Sequence, residues 1–425
     1  MPAFHLARYR NRDCLIDPQG RPFFSLGVVH TAAYLEEQGQ EAFLRRYGGD
    51  WARLSAKIAA DLKGWNFNTA GYHHPPALRD HLPFLVDCYP AEISYWMGQP
   101  AYPDVFDPAF EIAVSDLLER TSVPVREHPN LIGYYWTDTP RWDLERARVQ
   151  RALSDPGRVR ARSQVGTDWV SAIRALPATA PGKQRYAEYL LRSIQETGGA
   201  AVYLEGMQAP GTNAELTLHN LAASTFPRLD LAHPLIARND RGFLRRIARQ
   251  YYSIVGQAAR RADPHHLLFG DRYLTGDHPP EVLEEAAPYI DVISFQPYGS
   301  TFDRAAFDHI HTLTGKPILI CDHAINFPTP QHPRTLWPQR KDEAEASEAY
   351  REYLLTALDC PYIIGYHRCQ YIDRALPSGE ILKQGLLKED ESPYPLMTAR
   401  VKEANGKVLE AFRADLEPGR RISSS

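Results

Sequence analysis

The chain has 425 residues, 44% of them hydrophobic, and 48 basic against 52 acidic side chains give a formal charge of −4. That is ample for one large core, and without a basic tract it excludes nucleic acid as a partner, since phosphate binding needs a concentrated positive face. No run approaches the ~18 apolar residues of a membrane span, and the five cysteines (Cys14, Cys88, Cys321, Cys360, Cys369) form no Cys-x-x-Cys pair, which excludes a disulfide framework and a thiolate zinc site.

In chain order, the segment Met1–Arg8 lacks the apolar centre of a signal peptide, so the sequence predicts a cytoplasmic protein. Apolar strand-like runs follow at Phe23–Val29, Phe67–Tyr72, Leu82–Asp87, Leu131–Trp136, His266–Asp271, Ile290–Phe295, Pro317–Cys321 and Tyr362–Tyr366. Between and after them lie helical patterns at Glu41–Leu62, Ala109–Thr121, Arg241–Arg261, Glu281–Ala287, Lys341–Leu358 and Met397–Ala411. Strand and helix in alternation argue for a parallel sheet, and eight such units argue for closure. The expected fold is therefore α/β, a (β/α)8 TIM barrel forming one domain over residues 1–425.

One connection is too long for a bare loop. Residues 141–239 separate the fourth and fifth strands and contain a helical stretch, Lys183–Thr197, and a Gly/Pro/Asn-rich piece, Gly206–Asn213. Long segments leaving the carboxyl end of a barrel wall or roof its active site, so a helical insertion over the mouth is expected.

The chemistry of such a barrel sits where its strands end. The fourth strand, Leu131–Trp136, runs into Thr137-Asp138-Thr139, and proline stops it. The seventh, Lys316-Pro-Ile-Leu-Ile-Cys-Asp-His323, ends in Asp322. Two carboxylates at two strand ends are the minimum for cutting a glycosidic bond. The other strand ends complete a polar ring: His30, His73 with His74, Asp87, Asp271 with Arg272, Gln296 with Tyr298, His323, and His367 with Arg368. Each alone is most simply a cap or a turn residue, but polar groups converging on one mouth need a ligand, or each other. Tyr34, Tyr72, Trp96, Trp136, Trp142 and Trp337 are candidate stacking surfaces for sugar rings, or simply packing.

The text Ile132-Gly-Tyr-Tyr-Trp-Thr-Asp-Thr-Pro140, then Asp263–Tyr273, Tyr289–Tyr298, Lys316–Ile320 and Gly365–Asp373, resembles in order and spacing the agarases of glycoside hydrolase family 50 and their clan A relatives, over roughly residues 20–390. The resemblance implies a (β/α)8 barrel that hydrolyses β-linked oligosaccharides without a metal or other cofactor. It also implies catalytic groups at the ends of strands four and seven, and a tyrosine, Tyr298, that hydrogen-bonds the strand-seven carboxylate. The chain departs from the pattern where it matters. The family's Asn-Glu pair, whose Glu is the general acid/base, reads Asp138-Thr139; the strand-seven Glu nucleophile reads Asp322; and Arg368 stands where an aromatic platform is usual.

Thr139 cannot protonate a leaving group at neutral pH, so Asp138 is the expected acid and Asp322 its partner. Arg272 and Arg368 would suit an anionic sugar, uronate or sulfated, since guanidinium binds carboxylate bidentately; internal pairing with neighbouring aspartates is the alternative. The remaining strand-end groups, His30, His73, His74, Trp136, Gln296, Tyr298, His323 and His367, are expected to contact substrate. Two other functions fit the same residues. Histidines and Asp322 could hold zinc or manganese, although no compact His-x-x-x-His spacing exists. A sugar-binding barrel that has lost turnover would explain Thr139.

Overall fold

The computed structural model describes residues 3–32, 37–94, 100–142, 168–209, 215–275, 278–333, 335, 339–375 and 381–416. Eight parallel strands close into a barrel: β4 (Ser25–Val29), β5 (Thr69–Ala70), β6 (Phe84–Asp87), β7 (Leu131–Asp138), β8 (Leu267–Leu274), β9 (Ile293–Gln296), β10 (Ile318–His323) and β11 (Ile363–Cys369). Closure is the pairing of β11 with β4, from Gly365 opposite Ser25 to Cys369 opposite Val29. All eight predicted strands are present in the predicted order. Before them, β1 (His5–Tyr9), β2 (Arg12–Ile16) and β3 (Pro22–Phe23) form an antiparallel sheet that the sequence reading missed. Its neighbours Phe4 and Leu15 join Leu85, Ile132, Leu319 and Ile364 in one apolar cluster, so the sheet seals the interior of the barrel.

Among the described residues, twelve helices accompany the strands: α1 (Glu37–Tyr47), α2 (Trp51–Gly64), α3 (Pro108–Ser122), α4 (Trp169–Arg174), α5 (Pro181–Thr197), α6 (Ala200–Gly206), α7 (Leu218–Ala223), α8 (Pro234–Ala262), α9 (Pro280–Ala286), α10 (Arg304–Thr314), α11 (Glu343–Leu358) and α12 (Pro395–Leu416). None of them is long and apolar enough to cross a membrane. The single helix expected over Glu41–Leu62 is two. Gly48 and Gly49 take φ of 65° and 77°, a left-handed turn that ends α1, and Asp50 then caps α2 by accepting from the amides of Ala52 and Arg53. Helix α10 was not foreseen: it buries only Phe307 and Ile310 and is delimited by its caps, Asp303 and the left-handed Gly315. Helices α4 to α8 lie between β7 and β8.

Four strands, β7, β8, β10 and β11, run two to three residues further than the sequence suggested, to Asp138, Leu274, His323 and Cys369. Candidate residues expected in loops therefore lie inside strands, where successive side chains point to opposite faces. The pleat, reset by register shifts between Tyr135 and Asp138 on β7 and between Ile320 and His323 on β10, divides the pairs Asp271/Arg272, Asp322/His323 and His367/Arg368 between barrel axis and helical layer.

Closure also leaves no room for side chains at two points. A Cβ on Gly133 would sit 2.0 Å from the carbonyl oxygen of Leu267 on β8, and one on Gly365 would sit 2.4 Å from that of Ser25 on β4. Both obstacles are backbone and cannot swing aside. Gly133→Ala is expected to cost about 3 kcal/mol or more through overpacking, read as a drop in the urea midpoint at unchanged slope.

Candidate active site

Asp322 is the centre of the barrel mouth. It is 3% exposed, and the hydroxyls of Tyr72 and Tyr298 donate to its two oxygens, the latter at 2.5 Å. Burial raises its pKa from 3.8 to about 6, although both tyrosine hydrogen bonds work in the other direction; the charge of Asp138 adds to the rise.

Asp138 is held quite differently. Its Oδ1 accepts from Gln296 Nε2 at 2.6 Å and from Arg272 Nε at 3.3 Å, an ion pair in which Arg272 is fully buried. The guanidinium lies 3.8 Å above the ring of Tyr72 and donates to Tyr89 at 3.1 Å. Arg272 thus ties Asp138 to the tyrosine that binds Asp322. The structure brings together Asp138, Arg272, Gln296, Tyr298 and Asp322, with Tyr72 and Tyr89 among them.

His30 and His73 complete this group from the ends of β4 and β5. Their Nδ1 atoms are 2.9 Å apart, His73 Nε2 lies 3.2 Å from Asp87, and His30 Nε2 lies 3.9 Å from Asp322. Both have φ of 53°, and Thr139, where the resembling family carries its acid, has φ of 40°. Such backbone is disfavoured for residues with side chains and clusters at functional sites.

Other predicted site residues lie elsewhere. His323, next to Asp322, turns to the helical layer, where it stacks on Tyr353 of α11 and contacts Tyr366 Oη at 2.9 Å. Arg368 also turns that way: it is 1% exposed, with its guanidinium 5.6 Å from the ring of Tyr350 on α11. Trp136 stacks on Tyr252 of α8, and Trp142 on Trp169 and Tyr252, so both are packing. Asp271 accepts from Tyr252 at 2.6 Å and from the Thr137 amide at 3.0 Å, outside the barrel. His74 is a buried turn residue bonded to the Gly71 carbonyl and Arg79, with burial pulling its pKa to about 4. His367 sits deep in the barrel against Ser25 at 2.8 Å, and burial pulls it to about 3. Tyr34, Trp96 and Trp337 lie outside the described residues.

The sequence reading missed Tyr89 and Cys369. Tyr89 had a signal, two residues beyond Asp87 and on the same face; Cys369 had none beyond its place on the last strand. Cys369 matters because Cys369, His30 and Asp322 each offer a ligand atom within 4.8 Å of the others, in types suited to a transition metal. Both oxygens of Asp322 already accept tyrosine hydroxyls, which weakens that use of the trio.

No family model matches the chain. It is 24% identical over 416 residues to β-agarase A of Vibrio sp. (strain JT0107), covering 89% of this chain and 38% of the relative. Similarity to β-agarases runs along nearly its whole length. A second relative, β-agarase B of the same strain, is 24% identical over 391 residues, covering 86% of this chain and 38% of the relative. Among solved structures, the crystal structure of an agarase superposes with a TM-score of 0.76 at 17% identity, covering 96% of this chain and 65% of the other. The chain spans little more than a third of the length of the curated relatives it matches.

Asp322 has a consequence for stability. Its carboxyl is a weaker acid in the folded chain than in the unfolded one, so the stability it contributes is fully present below pH 4 and lost as pH rises through about 6. The rise from 3.8 to about 6 is worth about 3 kcal/mol. Asp322→Asn should therefore be more stable than the wild type at pH 8, by up to about that amount, and no more stable at pH 4. Parallel thermal melts at the two pH values check this.

Proposed function

We propose that the chain is a glycoside hydrolase that cleaves a β-linked oligosaccharide, with Asp322 as general acid and Asp138 as general base. The observation that carries the reading is the contrast between the two carboxylates. One is buried, with a pKa raised to about 6; the other is ion-paired to Arg272. Paired carboxylates in opposed environments divide into acid and base. The roles are the reverse of those expected from the sequence, because Asp322 is the carboxyl that burial pushes up to about 6, while Asp138 is the one paired with Arg272.

Asp322 gives its proton to the glycosidic oxygen as the bond to the anomeric carbon breaks. Asp138 takes a proton from the water that attacks that carbon from the opposite face, and the product has inverted configuration. Tyr72 and Tyr298 hold Asp322, while Gln296 and Arg272 hold Asp138. The insertion, residues 141–239, is proposed to wall the mouth and set the length of sugar admitted. The similarity to the β-agarases of Vibrio sp. supports the substrate class, a β-linked galactan or its fragments.

Proton NMR of the first-formed anomer tests the mechanism: α product from β linkage is expected, and β product would overturn the assignment. Asp322→Asn should lose about 10²–10⁴ in kcat on natural linkages and retain nitrophenyl glycosides, whose leaving group needs no proton. Sugar binding without turnover by the wild type would mean a binding barrel instead.

A charged sugar is not part of this proposal, because Arg272 is committed to Asp138 and Arg368 faces Tyr350. Arg368→Ala is expected to lower kcat/KM by the same factor for neutral and for uronate or sulfated substrates. A loss confined to the anionic class would restore the anionic reading.

A further inference from the structure

Arg368 is a buried cation that no acid answers. It is 1% exposed, on the helical side of β11, and of its fork of N–H donors only Nη2 reaches an acceptor, the carbonyl of Gln384 at 3.5 Å. Its Nε and Nη1 have no hydrogen-bond partner. Among the described residues it is surrounded by His323 of β10, Tyr350 of α11, Tyr366 and Cys369 of β11, and Lys383 and Gln384 of the segment after β11. None of these is a carboxylate.

The nearest charged neighbour adds to the excess. Lys383 is also 1% exposed, and its ammonium lies 3.7 Å from the ring centre of Phe327 and 4.1 Å from that of Tyr394. Burial lowers its pKa to about 8, Asp373 opposes that, and Arg368 adds to it. Asp373 accepts from Tyr394 and from the Gly385 amide and is the counter-charge of Lys383. Glu343 and Glu389 act on the lysine after these, and are engaged by the Met397 amide and by His332. Lys383 and Asp373 cancel, and Arg368 leaves one positive charge over.

An arginine cannot shed its proton in a protein, and a buried charge is ordinarily paired. Bare buried donors call for water or an ion. Water can satisfy the N–H groups of Arg368, but it leaves the charge where it is. We propose that a small monovalent anion of halide type binds Arg368 between α11 and the segment after β11, with Lys383 reinforcing its hold. A single negative charge is what this place lacks. Its walls are at most 2% exposed, from His323 and Tyr350 at 0% to Cys369 at 2%, which leaves no passage for an acidic or sulfated sugar. Arg368 stands opposite His323 in the sheet, so the anion braces the wall behind Asp322 and touches no substrate. The site is independent of the hydrolase reading and is tested without substrate.

Protein purified and crystallised in sodium bromide is expected to show an anomalous peak against the Arg368 guanidinium. In thermal melts at constant ionic strength, replacing gluconate with chloride should raise the wild-type Tm by roughly 1–3 °C, in a saturable way. Arg368→Met keeps the bulk and removes the charge, and should melt at the same temperature in both salts. Lys383→Met should keep the response but need about tenfold more chloride for half of it; an unshifted midpoint would remove the lysine from the site. If Arg368→Met does not fold, the bromide peak and the Lys383→Met titration still decide. Ordered water in place of bromide, or an equal chloride response in Arg368→Met, would overturn the proposal.

Discussion

Everything at the mouth of this barrel depends on which face each strand-end side chain takes. Because β7, β8, β10 and β11 continue past the points where the apolar runs end, the polar residues at their ends are subject to the pleat, which register shifts at Tyr135–Asp138 and Ile320–His323 reset beside the two acids. Asp322, Arg272 and His367 face the axis. Their neighbours His323, Asp271 and Arg368 face the helices, and pair with aromatic rings of α8 and α11 instead of substrate. A ring of more than a dozen polar groups thus resolves into a small inner set and an outer set that anchors helices to the barrel wall.

Within the inner set, one buried cation organises the charges. Arg272 pairs with Asp138, covers Tyr72 and reaches Tyr89, so a single guanidinium links β6, β7 and β8 to the tyrosine that holds Asp322. Among the described residues, no lysine or arginine pairs with Asp322. It is buried with two hydroxyl donors, an arrangement that costs stability when it ionises and leaves a carboxyl able to exchange its proton near neutral pH. The same environment that makes Asp322 useful makes it expensive.

The similarity to β-agarases of Vibrio sp. extends along the barrel and not merely over a motif, at 24% identity. The barrel is common ground; in the reading proposed here, Asp138-Thr139 and Asp322 are where this chain departs from the pattern it resembles.

By itself the sequence determined the eight strands and their order, because short apolar runs bounded by turn residues admit little else. It also singled out Asp138 and Asp322, since acids ending buried strands are rare enough to notice. It did not determine which neighbour of each acid faces the axis: Arg368 and Trp136 looked like substrate contacts until the strands proved longer than their apolar cores. Nor could it show Gly48 and Gly49 splitting a helix, or Arg272 claiming Asp138. Those outcomes rest on where the chain brings distant groups to within hydrogen-bond reach, and burial then acts on them. The identity of the two aspartates was written locally, but the proton affinity of Asp322 was decided by burial and by neighbours up to 250 residues away, as with Tyr72.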